Sequence, residues 1–109
     1  MVITQKKGNL EYLTAEGISA PHCFTTRLGG VSGAPWDTLN LGVGRGDDAE
    51  HVAENYRRFL TPLGLDPRQA VLSKQVHEDT VRTVSRSDAG KGLLFPRDYT
   101  ADALITDEP

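Results

Sequence analysis

Apolar positions along the chain follow a strand-like pattern near the N-terminus. The segment from Asn9 to Leu13 alternates polar and apolar residues, which is typical of a short half-buried strand. Residues Ile18 to Thr26 continue this strand-like pattern and predict a second strand. A glycine-rich loop from Arg27 to Gly46 follows, and Pro35 excludes it from the centre of a sheet.

The next segment changes to helical spacing. Asp47 or Asp48 is suited to cap a helix, and Glu50 places negative charge in its first turn. Gly64 predicts the end of this helix. Its apolar residues recur every three or four positions: Val52, Tyr56, Phe59, Leu60 and Leu63.

The last part of the chain returns to strand-like runs. Gln69 to His77 and Thr80 to Arg86 are rich in β-branched residues and lie close together, which predicts a β-hairpin. A final strand is predicted around Ala103 to Ile105. Because few residues follow this strand, the pattern leaves open whether the chain is complete or the N-terminal part of a longer protein. The alternation of strands and a helix predicts a single domain of mixed α/β (α+β) class over residues 1–109.

Composition narrows the functional classes. The 109 residues carry 12 basic and 15 acidic side chains, a net charge of −3, with both signs interspersed. This balance gives no electrostatic reason to expect nucleic acid or a membrane as a partner. A single cysteine, Cys23, cannot form an internal disulfide, and the N-terminus lacks the apolar core of a signal peptide. A cytoplasmic location is the resulting prediction.

The glycine-rich loop holds two candidate ligand-binding side chains, Arg27 and Asn40. Arg27 offers a planar fork of donors suited to phosphate, and Asn40 offers both a donor and an acceptor. Glycines at 29, 30 and 33 would let backbone amides approach a ligand closely. The alternative is a structural loop in which Arg27 pairs with a carboxylate and Asn40 satisfies buried backbone groups.

Several motifs together resemble the YfiH-type, laccase-domain family. They are "TTRLGGVS", "LNLG", "DD" followed by spaced valine and asparagine, "QVH" and "ADALITDEP", in this order. The resemblance extends from about His22 to Pro109. It implies a layered α/β/β/α arrangement of mixed sheets and helices, of which this chain would be about the first half.

The resemblance also implies an activity. Members of this family, formerly labelled multicopper polyphenol oxidases, are zinc-dependent purine nucleoside phosphorylases with adenosine deaminase activity. Phosphate would attack C1′ of a purine nucleoside, releasing the free base and ribose 1-phosphate. The substrates implied are therefore purine nucleosides and phosphate.

The histidine of "QVH" is the metal ligand that the resemblance implies, and it is His77. A neutral imidazole is a good zinc ligand, although a lone histidine at a strand end is more often a surface residue. The family's other two ligands, a cysteine and a histidine, belong to a second half that is absent here, and Cys23 lies in a different motif. Glu78 stands where the family usually has glycine, so it would alter the turn or supply a nearby carboxylate.

The family blocks around Arg27 and Asn40 imply that these residues belong to the active-site region, with Arg27 stabilising the charge that develops on phosphate. We therefore expect Arg27 and His77 to face a common cavity. The remaining histidines are interpreted otherwise: His22 as a structural hydrogen-bonding residue and His51 as part of an exposed helix face. Cys23 is interpreted as a small buried apolar residue.

Two alternatives stay open at this point. One is a copper-dependent phenol oxidase, which would need several histidine-rich metal sites, whereas this chain has only three scattered histidines. The other is a non-catalytic truncated fragment whose last strand pairs with the missing C-terminal half or with another copy. By itself, the chain is expected to be inactive, since one ligand cannot hold a catalytic zinc ion.

Overall fold

Two compact units make up the computed structural model, which describes residues 1–108. The first unit runs from Met1 to Leu65 and the second begins at Asp66. Each combines strands with helical turns, so the predicted mixed α+β class is confirmed. The strands and the α-helix, in chain order, are β1 (Val2–Lys7), β2 (Leu10–Ala15), β3 (Phe24–Thr25), α1 (Ala49–Leu60), β4 (Val81–Thr83) and β5 (Ala103–Ile105).

The first unit contains an antiparallel sheet in the order β1–β2–β3. A tight turn at Gly8 and Asn9 joins β1 to β2, and Gly8 has a φ of +60° that suits glycine. β2 confirms the strand predicted from Asn9, with Leu10 and Tyr12 buried on one face. β1 was not predicted, because nearly all of its residues are exposed and it is held by backbone pairing at the sheet edge rather than by burial.

The second predicted strand, Ile18 to Thr26, is largely wrong. Only β3 at its end is a strand, and it pairs with Leu13 and Tyr12 of β2. The chain before it turns at Gly17, whose φ is +88°. The ring of His22 then takes the place of a strand partner, because its Nε2 accepts the Ala15 N–H at 2.9 Å. The Ala15 N–H, which the predicted strand would have bonded to another strand, is therefore bonded to the His22 side chain.

Helix α1 begins where the capping signal places it. The Asp48 carboxylate accepts the Glu50 N–H at 2.8 Å, so Asp48 rather than Asp47 is the N-cap. The α-helix ends at Leu60 because Pro62 has no N–H to continue the ladder, and a 3-10 turn, Thr61–Leu63, follows. Gly64, with a φ of +76°, closes the segment as predicted.

The core of the first unit lies where the sheet, the loop and the helix meet. Leu10 and Tyr12 from β2 pack with Leu39 from the glycine-rich loop, and all three are buried. Partly buried apolar residues complete this cluster: Cys23, Leu41, Phe59 and Leu63. Packing of the loop against the sheet fixes the backbone between Arg27 and Asp47.

The second unit contradicts the predicted hairpin. Residues 70–80 form no strand, and two 3-10 turns, Pro67–Gln69 and Arg86–Asp88, flank this part of the chain. β4 instead pairs in parallel with β5, in the register Val81 to Ala103 and Thr83 to Ile105. The strand predicted at the end of the chain is thus confirmed, but its partner was not foreseen. No helix in the described part of the chain is long and apolar enough to cross a membrane.

Candidate functional site

The backbone of Arg27 is tightly held, whereas its side chain is exposed. The Arg27 carbonyl accepts three hydrogen bonds, from the backbone N–H groups of Thr38 and Leu39 at 2.8 Å each and from the Thr38 hydroxyl at 3.0 Å. The guanidinium has no hydrogen-bond or ion-pair partner within residues 1–108. The carboxylate pairing that a purely structural Arg27 would need is therefore absent from the described residues.

Two of the loop glycines pack against the protein itself. A side chain at Gly30 would lie within 2.6 Å of the Asn55 Oδ1 and within 2.5 Å of the Leu39 Cα. One at Gly29 would lie 2.5 Å from the Leu10 Cα. These close approaches give Gly29 and Gly30 a structural reason to be glycine, and the expected approach of a ligand to their amides stays a prediction. Gly33 has open space around it.

The side chain of Asn40 is engaged at both ends. Its Nδ2 donates to the Asp47 Oδ2 at 3.1 Å, and its Oδ1 accepts the Gly42 N–H at 3.0 Å. These bonds tie the middle of the loop to the start of α1. The geometry favours the structural reading of Asn40, although a second amide N–H is left for other contacts.

A buried amide anchors the same loop from the helix. Asn55 is 0% exposed, and its Oδ1 accepts the Val31 N–H at 2.8 Å. Its Nδ2 donates to the Ser32 Oγ at 2.9 Å and to the Asn40 carbonyl at 2.8 Å. The family motif that begins with Asp47 and Asp48 includes Asn55 but gave it no role, although a polar residue among the apolar positions of an amphipathic helix indicates a buried hydrogen-bonding side chain.

The network ends on the carboxylate of Asp47. Its side chain is 4% exposed and accepts the Ser32 hydroxyl at 2.5 Å and the Asp48 N–H at 2.8 Å. The hydrogen bond from Ser32, supported by that from Asn40, lowers the pKa of Asp47, although burial opposes this shift. Asp47 is therefore a structural anion that holds the loop to the helix.

His77 lies in the second unit in an unusual backbone conformation. Its φ is +60°, which makes it the only residue other than glycine with positive φ in the described part of the chain. Its side chain is exposed and its ring has no hydrogen-bond partner within the described residues. Glu78 has an ordinary φ, so the residue that replaces the expected glycine does not strain the turn.

One carboxylate organises the backbone around His77. The Asp102 Oδ1 accepts the N–H groups of Val76 at 2.9 Å and His77 at 2.8 Å. Its Oδ2 accepts those of Glu78 at 3.1 Å and Thr80 at 3.2 Å. These four bonds lower the pKa of Asp102, against the effect of burial, which is the largest single influence and raises it. Asp102 lies in the motif "ADALITDEP", but no role for its side chain was predicted from the sequence.

The three candidate residues are divided between the two units. Arg27 and Asn40 belong to the first and His77 to the second, so the expected common cavity of Arg27 and His77 stays a prediction. One open cavity of about 210 Å³ within the first unit does not include Arg27 or Asn40. Its lining residues are Lys7, Asn9, Leu10, Gly29, Arg58 and Pro62.

The remaining histidines and the cysteine have local roles. The His22 Nδ1 lies 2.7 Å from the Ala20 carbonyl while its Nε2 accepts the Ala15 N–H, which matches the structural role expected for it. His51 is exposed, 4.0 Å from the Asp47 carboxylate. Burial raises the pKa of the half-buried Cys23 thiol, and this residue packs on the core.

A metal site is not complete within the described residues. Residues 1–108 contain no cluster of three or more His, Cys, Asp or Glu side chains that could hold a metal ion. His77 fits the role of one ligand, because its ring is exposed and has no competing partner among these residues. A closed or catalytic zinc site needs at least three protein ligands, so any others must come from elsewhere.

Comparison with known proteins gives a consistent family match. Residues 21–109 match the family model described as multi-copper polyphenol oxidoreductase laccase. A protein of Streptomyces griseus named purine nucleoside phosphorylase is 48% identical over 88 residues, which cover 81% of this chain and 34% of that protein. Purine nucleoside phosphorylase YfiH of Escherichia coli is 40% identical over 77 residues, covering 70% of this chain and 30% of the relative.

A solved structure agrees with these sequence matches. The crystal structure of YlmD from Geobacillus stearothermophilus matches 97% of this chain with a TM-score of 0.76 and 32% identity, and the match covers 41% of that chain. This agreement supports the fold expected from the motifs. The chain spans about a third of the length of the curated relatives described above.

Proposed function

Because the chain belongs to the multi-copper polyphenol oxidoreductase laccase family, we propose that it contributes part of the active site of a purine nucleoside phosphorylase. The complete protein, meaning this chain with the remaining length that its relatives have, would convert a purine nucleoside and phosphate to the free base and ribose 1-phosphate. The resemblance also implies adenosine deamination, which we include in the proposal. A cytoplasmic location stays a prediction from the sequence.

The observation that carries this proposal is a contrast between fixed backbones and available side chains. The family motifs single out Arg27, whose carbonyl accepts three hydrogen bonds, and His77, whose N–H and neighbouring amides donate to Asp102. Both side chains are exposed and without partners in the described part of the chain. Fixed backbones with free functional groups are what a binding site requires of its residues.

In this proposal each residue has one role. The Arg27 guanidinium binds phosphate through charge-assisted hydrogen bonds and stabilises the negative charge of the reacting group. The His77 imidazole serves as one of three protein ligands to zinc, the other two lying outside this chain. When bound, the zinc ion would supply electrophilic stabilisation of negative charge. Asn40 holds the loop that carries Arg27, as its two hydrogen bonds indicate.

The test is a phosphate-dependent assay on the complete protein. With inosine and phosphate we expect hypoxanthine and ribose 1-phosphate in equal amounts, and no hypoxanthine when phosphate is omitted. The matched control is the 109-residue chain alone, which we expect to be inactive because it contributes one metal ligand. Hypoxanthine release by the complete protein without phosphate dependence would contradict the proposal.

The same preparation separates the copper alternative. A copper-dependent phenol oxidase would consume oxygen when a phenol is added and would leave inosine unchanged. Oxygen uptake without nucleoside cleavage would therefore favour that alternative and overturn the phosphorylase assignment.

A further inference from the structure

The loop that carries His77 is held mainly by polar contacts. Residues 74–80 are exposed throughout, so apolar packing contributes little to their position. The backbone of the neighbouring segment contributes three hydrogen bonds, from Ala101 to the Lys74 carbonyl and from Asp102 and Ala103 to the Thr80 carbonyl. These bonds fix the two ends of the loop but leave its middle, at His77, to other contacts.

The Asp102 carboxylate supplies the contacts in the middle. It accepts the N–H groups of Val76, His77, Glu78 and Thr80, at distances between 2.8 and 3.2 Å. Four donors converge on two oxygens, which together have about four lone-pair positions, so the acceptor capacity of the carboxylate is nearly filled. No other described side chain hydrogen-bonds to these four amides, which makes Asp102 the main constraint on this stretch.

The constraint acts on a strained residue. A left-handed conformation at a residue with a Cβ is costly and persists only when its surroundings determine it. The φ of +60° at His77 is therefore maintained by the hydrogen bonds on both sides of it and on its own N–H. Without them the chain would relax, and the imidazole would move with it.

We propose that Asp102 is a positioning residue, which fixes the backbone of residues 76–80 so that His77 presents its imidazole at one place. This inference rests on the proposed function, in which His77 is a zinc ligand. Asp102 does not itself touch the metal in this proposal. It acts by removing alternative positions of the ligand before binding, which increases the affinity for the metal.

The decisive variant is Asp102→Asn in the complete protein. The carboxamide replaces one acceptor oxygen with an NH₂ group that faces N–H donors, so about half of the contacts are lost. We expect zinc affinity, measured with Zn²⁺ alone by competition against a chromogenic chelator, to fall about 10–100-fold. Backbone hydrogen exchange at residues 76–80 in the zinc-free protein should become faster.

A matched control lies in the same loop. Asp79→Asn removes the same charge at an exposed carboxylate that has no hydrogen bond within the described residues. Its zinc affinity and its exchange rates should equal those of the wild type. Equal losses in Asp79→Asn and Asp102→Asn would assign the effect to charge alone and overturn the proposal.

Further outcomes separate this inference from the proposed function. If His77→Ala loses zinc while Asp102→Asn binds it with wild-type affinity, only the positioning role fails. If His77→Ala binds zinc as the wild type does, His77 is no ligand and both proposals fail. Should Asp102→Asn not fold, Asp102→Glu decides, because it keeps both oxygens but displaces them by one methylene. An affinity below that of the wild type supports the positioning role, and wild-type affinity contradicts it.

Discussion

Gly30 occupies a point where the loop, the helix and the backbone of residue 39 approach one another. Its amide donates to the Thr38 hydroxyl at 3.1 Å, and a side chain there would collide with Leu39 and Asn55. Asn55 in turn fills the space beside it with three hydrogen bonds and no exposure. The fold of the loop therefore depends on two residues: Gly30, where a side chain would not fit, and Asn55, whose amide is buried.

The two glycines at positions 30 and 33 test this directly. Gly30→Ala should lower the free energy of unfolding by about 1–3 kcal/mol, since the added methyl group has no space without moving the backbone. Gly33→Ala is the matched control, with open space at its Cβ and no positive φ. It should be neutral or stabilise by up to about 1 kcal/mol. Denaturant unfolding of both variants measures the difference, and equal effects would show that the close packing at Gly30 is not what its glycine provides.

Among the secondary-structure elements, those set by neighbouring residues were predicted, whereas those set by contacts between residues far apart in the sequence were not. The start of α1 was predictable because the Asp48 cap and the helical spacing of its apolar residues are local in sequence. The hairpin was wrong because Asp102, 22 to 26 residues away, takes the N–H groups that a ladder would have used. Likewise, His22 replaces a strand partner through its ring, which no alternation of apolar residues could indicate.

In the candidate site, too, the sequence identified residues but not the partners that are distant in the chain. The motifs identified Arg27 and His77 as side chains of interest, and both prove to be exposed and available. Asn40 was ambiguous in the sequence because its two roles differ only in which partners are near, and those partners, Asp47 and Gly42, are seen only in the structure. Asp102 was missed because its function depends on four backbone amides of a distant loop.

The stability that Asp47 contributes at the junction between the loop and α1 is predicted to depend on pH. The pKa of Asp47 is lowered in the folded state by the Ser32 hydrogen bond, so the folded protein binds this proton less readily than the unfolded chain. Its contribution to stability is therefore complete above the ordinary value of 3.8 and is lost as the pH falls through the lower folded value. As the pH falls below 3.8, the wild type should lose stability more steeply than Asp47→Asn.

Asp37→Asn provides the comparison for that experiment. Asp37 lies in the same loop, is exposed, and has no side-chain hydrogen bond in the described part of the chain. Its variant should follow the wild-type profile of unfolding free energy against pH. A wild-type slope in Asp47→Asn would mean that the Ser32–Asp47 contact does not contribute to acid sensitivity.

Across the whole molecule, two candidate side chains, Arg27 and His77, are exposed, and residues 1–108 contain no cluster of three or more side chains that could hold a metal ion. Arg27 is placed by the packed loop of the first unit, and His77 by the Asp102 contacts of the second. The curated relatives are about three times as long as the matched segment, so the rest of the site belongs to the complete protein in this account. In our proposal, His77 binds the metal on which phosphorolysis depends.

The most direct test measures zinc content and the steady-state rate of phosphorolysis together in the complete protein. His77→Ala should lose most of its zinc and nearly all activity while keeping its fold, because an exposed imidazole contributes little to the core and two remaining ligands are too few. Arg27→Ala, the comparison variant, should keep its zinc and show a weaker dependence of rate on phosphate. A His77→Ala protein with full zinc content and normal turnover would contradict the account.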